Sequence, residues 1–144
     1  MRYTITILIG LVATFTVIGT SACGVATQTG PPPVNISGVW RYTALQQSPT
    51  QSSLTGTLTV SAQSGSTFDG IFDAVETLPD GITRRLAGAV HGQTLDASTL
   101  DFDVMLDVSR RHVAAILADT AAGSWLAAGA TSSTGGTFRM VRVR

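Results

Sequence analysis

Two stretches of the chain alternate between apolar and polar residues with a period of two. Residues 100–108 carry Leu, Phe, Val, Leu and Val at every second position, with Asp or Met between them, and in residues 54–62 Leu, Gly and Val alternate with Thr and Ser. A period of two is the spacing of a β-strand that buries one of its faces. Both stretches are therefore predicted to be strands that line one side of a core.

Turn signals divide the chain after residue 35 into eight short runs. Pro79-Asp80-Gly81 is a strong one, because proline presets one backbone dihedral angle and glycine accepts a positive φ. The alanine-rich residues 114–130 are interpreted as two strands, since Gly123 and Gly129 interrupt them. The predicted strands are residues 38–45, 54–62, 67–77, 82–90, 100–108, 110–118, 122–128 and 137–143.

Eight strands with short turns and no helical period predict an all-β domain built as an antiparallel meander. Closing the sheet removes its unpaired edges, so an eight-stranded barrel is the predicted fold and a β-sandwich is the alternative. An eight-stranded barrel is filled by side chains or holds one small ligand. The residues predicted to face inward are Trp40, Leu58, Phe68, Phe72, Leu86, Leu100, Phe102, Leu106 and Trp125.

The beginning of the chain has a different character. Arg2 follows Met1, residues 4–19 are apolar and uncharged, and small residues come next. This order is typical of a secretory signal peptide, and the run is shorter than a membrane-spanning helix requires. Residues 1–22 are therefore predicted to form a signal helix that is cleaved on export, and residues 36–144 to form the barrel domain.

The sequence around Cys23 resembles the signal of bacterial lipoproteins, in which a cysteine after two small residues becomes the lipidated N-terminus. Ser21 and Ala22 precede Cys23, and Thr20 stands where that family usually has leucine. Cys23 is the only cysteine, and an unpaired cysteine in an exported protein needs a reason. The resemblance implies a lipid on Cys23 that holds the protein to a membrane of the bacterial envelope, with the Pro/Gly-rich residues 23–35 as a tether. The alternative is ordinary cleavage, which gives a secreted or periplasmic protein.

Gly38-Val39-Trp40 opens the first predicted strand, and a strand with Arg139 and Arg142 ends the chain. These features resemble the lipocalin and avidin-like calycin barrels, in which Gly-x-Trp begins the first strand. The resemblance implies that Trp40 plugs one end of the barrel. It also implies that Arg139 or Arg142 covers this plug through a cation–π contact. Gly123-Ser124-Trp125 repeats the motif.

The leading functional hypothesis is a lipocalin-like barrel that binds a small apolar ligand. Gly56, Gly70 and Gly88 on the predicted inward faces leave some room for one or allow tight coiling of the strands. The alternative is a filled barrel that acts as a structural or protein-interaction module of the envelope, and a hydrolase ranks third. The candidate pocket residues are Trp40, Tyr42, Phe68, Phe72, Phe102 and Trp125.

Other side chains give little support to catalysis or metal binding. No Gly-x-Ser-x-Gly sequence frames a serine, and His91 and His112 are interpreted as surface residues. Asp101, Asp103 and Asp107 share one face of a strand, which suits a hard cation but suits a solvated outer face better. The formal net charge is zero, so no nucleic-acid partner is expected. Neither an enzymatic activity nor a cofactor is predicted, and no metal site.

Overall fold

The computed structural model of the chain describes residues 33–127 and 134–144. The expected signal peptide, Cys23 and most of the tether lie outside these residues. Within the described part there is no helix long and apolar enough to cross a membrane. The described elements are the strands β1 Gly38–Ser48, β2 Ser52–Ser64, β3 Thr67–Thr77, β4 Thr83–Thr94, β5 Thr99–Met105, β6 Arg110–Leu117, β7 Thr120–Ala127 and β8 Gly135–Arg142.

The eight strands form a closed antiparallel barrel. Each strand pairs with the next along the chain, and β8 pairs with β1. Trp40, for example, is opposite Leu58 on β2 and opposite Arg142 on β8. The meander barrel predicted from the sequence is confirmed. The β-sandwich alternative is wrong, because the pairing of β8 with β1 leaves neither strand as an edge.

Side chains alternate between the interior and the solvent along the strands. In β1, Trp40, Tyr42 and Ala44 are buried, whereas Arg41 and Thr43 are exposed. The residues that were predicted to face inward are all buried or partly buried; only Leu86 and Leu106, which pack against the core, are partly exposed. The period-two pattern therefore identified the interior correctly.

Several strand boundaries differ from the prediction. β1 and β2, for example, extend into residues 46–53, which were predicted to form a loop. β4 continues to Thr94, through residues that were predicted to form a connection. Gly92 lies in this strand against the ring of Phe68 and the Cβ atom of Phe102, where a further Cβ atom has no room. The glycine makes space for two phenylalanine side chains and does not mark a turn. β5 ends at Met105, so Asp107 belongs to the connection that follows.

The barrel has two ends, which we name after their tryptophans. The Trp40 end carries residues 33–37, the end of the chain, and the connections β2–β3, β4–β5 and β6–β7. The Trp125 end carries the connections β1–β2, β3–β4 and β5–β6, together with the last residue of β7 and the first of β8. Each tryptophan is the third residue from its end of the strand, so the two Gly-x-Trp motifs occupy opposite ends of the interior.

Candidate functional site

The Trp40 end is closed by the segment that precedes β1. The indole Nε1 of Trp40 donates a hydrogen bond to the carbonyl oxygen of Ile36 at 2.8 Å, and Ile36 is itself buried. The side-chain amide of Gln63 holds this segment: its oxygen accepts from the Ile36 amide and its nitrogen donates to the Val34 carbonyl, both at 2.9 Å. The segment therefore forms a floor beneath Trp40.

Arg142 completes this closure. Its guanidinium carbon lies 4.4 Å from the centroid of the Trp40 ring. It also donates to the carbonyl oxygens of Ser37 and Asn35 and pairs with Asp119, 3.3 Å away. Of the two arginines that the calycin resemblance suggested, Arg142 has the covering position, and Arg139 is exposed on the outer face.

An aromatic layer fills the middle of the barrel. Tyr42 meets Phe72 edge to face with 5.0 Å between ring centroids, and it stacks on Phe138 at 5.6 Å. His112 stacks on Phe102 at 4.6 Å and meets Phe138 edge to face at 4.9 Å. These are favourable geometries for ring pairs. The layer gives the interior a flat, polarisable surface.

His112 lies in this layer, so its interpretation as a surface histidine is wrong. β6 turns Arg110 and His112 inward and Val113 outward, which reverses the usual placement of polar and apolar residues. Its Nδ1 donates to the carbonyl oxygen of Arg110 at 2.8 Å, and its Nε2 accepts from the Tyr42 hydroxyl at 3.0 Å. Burial lowers the pKa of His112 to about 4 and raises that of Tyr42, so both are neutral at pH 7.

The Trp125 end carries a second arginine–tryptophan pair. The guanidinium carbon of Arg110 lies 4.7 Å from the Trp125 ring centroid, and the two residues are 8% and 1% exposed. Among the described residues, Arg110 donates no side-chain hydrogen bond and makes no ion pair, and Nε1 of Trp125 has no hydrogen-bond partner. A buried donor such as this indole N–H is costly when it has no acceptor.

A buried carboxylate lies at the same end. The Glu76 side chain is 0% exposed; it accepts a hydrogen bond from the Ser52 hydroxyl at 2.6 Å and pairs with Arg84. Burial alone would raise the pKa of Glu76, but the hydrogen bonds from Ser52 and Arg84 outweigh it, so the pKa lies below its usual value. An open groove of about 410 Å³ adjoins this cluster and is lined by residues that include Gln46, Ser52, Leu78 and Pro79.

The six predicted pocket residues are all buried, but the barrel does not bring them all together. Tyr42, Phe72 and Phe102 belong to the aromatic layer, and the ring of Phe68 lies 6.1 Å from that of Phe102. Trp40 and Trp125 are at opposite ends. Sequence reasoning missed His112, Phe138, Arg110 and Glu76. Only Phe138 had a usable signal, since it alternates with Met140 in the last predicted strand.

The outer face carries ordinary charge pairs. Asp101 receives two hydrogen bonds from the guanidinium of Arg111, at 2.8 and 3.0 Å. The exposed His91 lies 2.6 Å from Asp69. Within residues 33–127 and 134–144, no cluster of three His, Cys, Asp or Glu side chains has an arrangement that suits a metal ion. Asp101 and Asp103 thus lie on an outer face, as the sequence favoured.

No protein-family model matches the sequence, and no curated protein matches it. The fold is similar to that of several solved barrels. One, described as EF1p2_mFAP2b bound to DFHBI, has a TM-score of 0.62 and 17% identity over 74% of this chain and 93% of that chain. The redesigned β-barrel mFAP1, bound to DFHBI, has a TM-score of 0.55 and 17% identity over 74% and 94% of the two chains. A de novo designed fluorescence-activating β-barrel has a TM-score of 0.57 and 12% identity over 74% and 93%. At these identities the likeness shows the fold alone.

Proposed function

We propose that this barrel binds a small, largely apolar molecule at its Trp125 end. The observation that carries the proposal is the difference between the two ends. At the Trp40 end the chain closes its own interior with Ile36 and Arg142. At the Trp125 end an open groove adjoins polar side chains that face inward, among them Ser52 and Glu76. We expect a ligand to enter from the Trp125 end.

The interior offers an apolar ligand a suitable surface. Trp125 is followed towards the middle of the barrel by His112, whose ring centroid is 6.3 Å away in a stacked arrangement. Flat aromatic walls with a few convergent polar groups are typical of small-molecule sites. The two similar barrels that are described as bound to DFHBI support the proposal by analogy, because they show that this architecture accommodates a small ligand.

A filled barrel that serves as an interaction module is the second candidate. The tight contacts of the aromatic layer favour it, since Phe102 and His112 are only 4.6 Å apart and nearly parallel. A layer packed in this way leaves the Trp125 end, and not the middle of the barrel, as the place for a ligand.

Tryptophan fluorescence distinguishes the two candidates, because the chain has one tryptophan at each end. We expect the full-length chain to show a bound mass in native mass spectrometry or a saturable response to apolar probes, with DFHBI as the first. In the variant W40F the emission of Trp125 should change with the probe. In W125F the emission of Trp40 should not. No bound mass and no response to any probe would favour the filled barrel.

The membrane anchor is part of the proposal. Cys23 and the two small residues before it support a lipid-modified N-terminus that places the barrel on the bacterial envelope. We expect the full-length chain to partition into the detergent phase and C23S into the aqueous phase. A wild-type chain that stays in the aqueous phase would favour a secreted or periplasmic protein.

A further inference from the structure

The two arginine–tryptophan pairs of the barrel are alike in composition but differ in their hydrogen bonds. In each pair a guanidinium lies over an indole ring, at 4.4 Å for Arg142 on Trp40 and at 4.7 Å for Arg110 on Trp125. Each tryptophan ends a Gly-x-Trp sequence. The two pairs can therefore be compared within one molecule, and the Trp40 end shows which hydrogen-bond acceptors such a pair requires.

At the Trp40 end, oxygen atoms accept hydrogen bonds from both the indole and the guanidinium of the pair. The indole N–H donates to the Ile36 carbonyl, and the guanidinium donates to the carbonyl oxygens of Ser37 and Asn35. The carboxylate of Asp119 adds a negative charge 3.3 Å from Nε of Arg142. This pair is therefore bonded to four oxygen atoms, and three of them belong to the covering segment.

At the Trp125 end, the described residues supply none of these acceptors. Nε1 of Trp125 is buried without a partner, and the Arg110 side chain makes no hydrogen bond although it is only 8% exposed. The nearby carboxylate of Glu76 is already engaged by Ser52 and Arg84. The indole N–H of Trp125 is thus a buried donor without the acceptor that its counterpart has, and Arg110 beside it bonds to none of the described residues.

The charges at this end indicate which acceptor fits. Glu76 is the one buried carboxylate among the described residues, and it is engaged by Ser52 and by Arg84, whose side chain is 55% exposed. Asp107, near Arg110, is also exposed, so water screens the charges of both Arg84 and Asp107. Arg110 is therefore a buried cation that forms no ion pair with a described residue. A carboxylate accepts from a guanidinium and an indole N–H together and supplies that negative partner.

We infer that the Trp125 end is a carboxylate-binding site, in which Arg110 and the indole N–H of Trp125 hold the acid group of a small ligand with an apolar body. The inference rests on the proposed function and names the chemical class of its ligand. The acid group takes the place that the 33–37 segment and Asp119 have at the other end. The apolar body lies in the groove that adjoins Ser52 and Glu76.

Matched pairs of ligands test the acid group in the full-length chain. Naphthoate and naphthylmethanol share a flat ring system, and decanoate and decanol share a long alkyl chain. We expect each acid to bind about tenfold or more tightly than its alcohol, since a hydrogen bond to a charged group has roughly that effect. The acid that binds more tightly shows whether the ligand of this site is an aromatic acid or a fatty acid.

Two variants test the residues. R110Q should remove the preference for the acid, whereas R139Q, which removes the same charge from the outer face, should keep it. W125F keeps an aromatic ring but has no N–H group, so it should also lower the preference for the acid. If R110Q fails to fold, W125F is the variant that tests the inference. If the alcohols bind as tightly as the acids, the carboxylate inference is wrong and the proposed function stands. If neither class binds, the proposed function is wrong as well.

Discussion

The hydroxyl of Tyr42 donates a hydrogen bond to Nε2 of His112 across 3.0 Å of the barrel interior. The two residues lie on β1 and β6, which are not neighbours in the sheet. The bond therefore joins two parts of the wall through the core. A buried polar pair of this kind is stable only while both partners keep the protonation state that the bond requires.

We expect the fold to lose stability in mild acid, because His112 is neutral in the folded protein. The pKa of His112 is about 4 in the folded protein, because burial disfavours the charged ring, and a histidine in an unfolded chain has a pKa near 6.5. Between these values the unfolded state binds more protons than the folded state. The contribution of His112 to the free energy of unfolding is therefore fully present above pH 6.5 and is lost as the pH decreases towards 4. The loss reaches about 3 kcal/mol at most.

Urea unfolding at pH 7.5, 5.5 and 4.5 measures this effect. Carboxylates also contribute to acid sensitivity, so the comparison is between variants. The double variant Y42F/H112F removes the titrating ring and its partner together, and its stability should depend less on pH than that of the wild type. H91Q, at an exposed histidine on the outer face, should behave as the wild type. Equal pH dependence in Y42F/H112F and the wild type would contradict a buried neutral His112.

The sequence predicted the architecture well because alternation is a local property. In β5 the buried Leu100, Phe102 and Val104 stand out from the aspartates between them, and a closed sheet follows from eight such strands. In β6 the alternation is reversed, with Arg110 and His112 inside and Val113 outside. No pattern within β6 identifies the inner face, because contacts with Tyr42 and Trp125 on other strands decide it. The polar part of the candidate site was therefore invisible to sequence reasoning.

The two charge pairs that join β3 and β4 should differ in their contribution to the free energy of unfolding. Glu76 with Arg84 is buried on the carboxylate side, whereas Asp73 with Arg85 is exposed on both sides. We expect E76Q to lower the free energy of unfolding by roughly 1–3 kcal/mol, because it weakens two charge-assisted hydrogen bonds of a buried group. D73N, the matched control, should change it little, since exposed ion pairs contribute little. Equal losses in chemical denaturation would contradict the assigned burial of Glu76.

The two arginines of β8 give a second matched comparison. Arg142 stacks on Trp40 and binds the 33–37 segment, and Arg139 is exposed on the outer face. R142Q should lower the free energy of unfolding by about 1–3 kcal/mol, because it removes the cation–π contact and the bonds to backbone carbonyls. R139Q should have almost no effect. Hydrogen exchange of residues 33–37 should also become faster in R142Q alone, and an unchanged rate would show that Gln63 holds the segment by itself.

Replacing each tryptophan by phenylalanine tests the difference between the two ends. Both substitutions remove a similar ring area from the interior, so the difference between their effects reports mainly on the indole N–H group. In W40F the Ile36 carbonyl loses its 2.8 Å donor, which adds a penalty of about 1–2 kcal/mol. In W125F a buried donor without a partner disappears, and this partly offsets the loss of ring area. W40F should therefore be the less stable variant in chemical denaturation without ligand. Equal stability of the two variants would mean that another part of the chain supplies an acceptor to Trp125, and the carboxylate site would then have no free indole N–H group to offer.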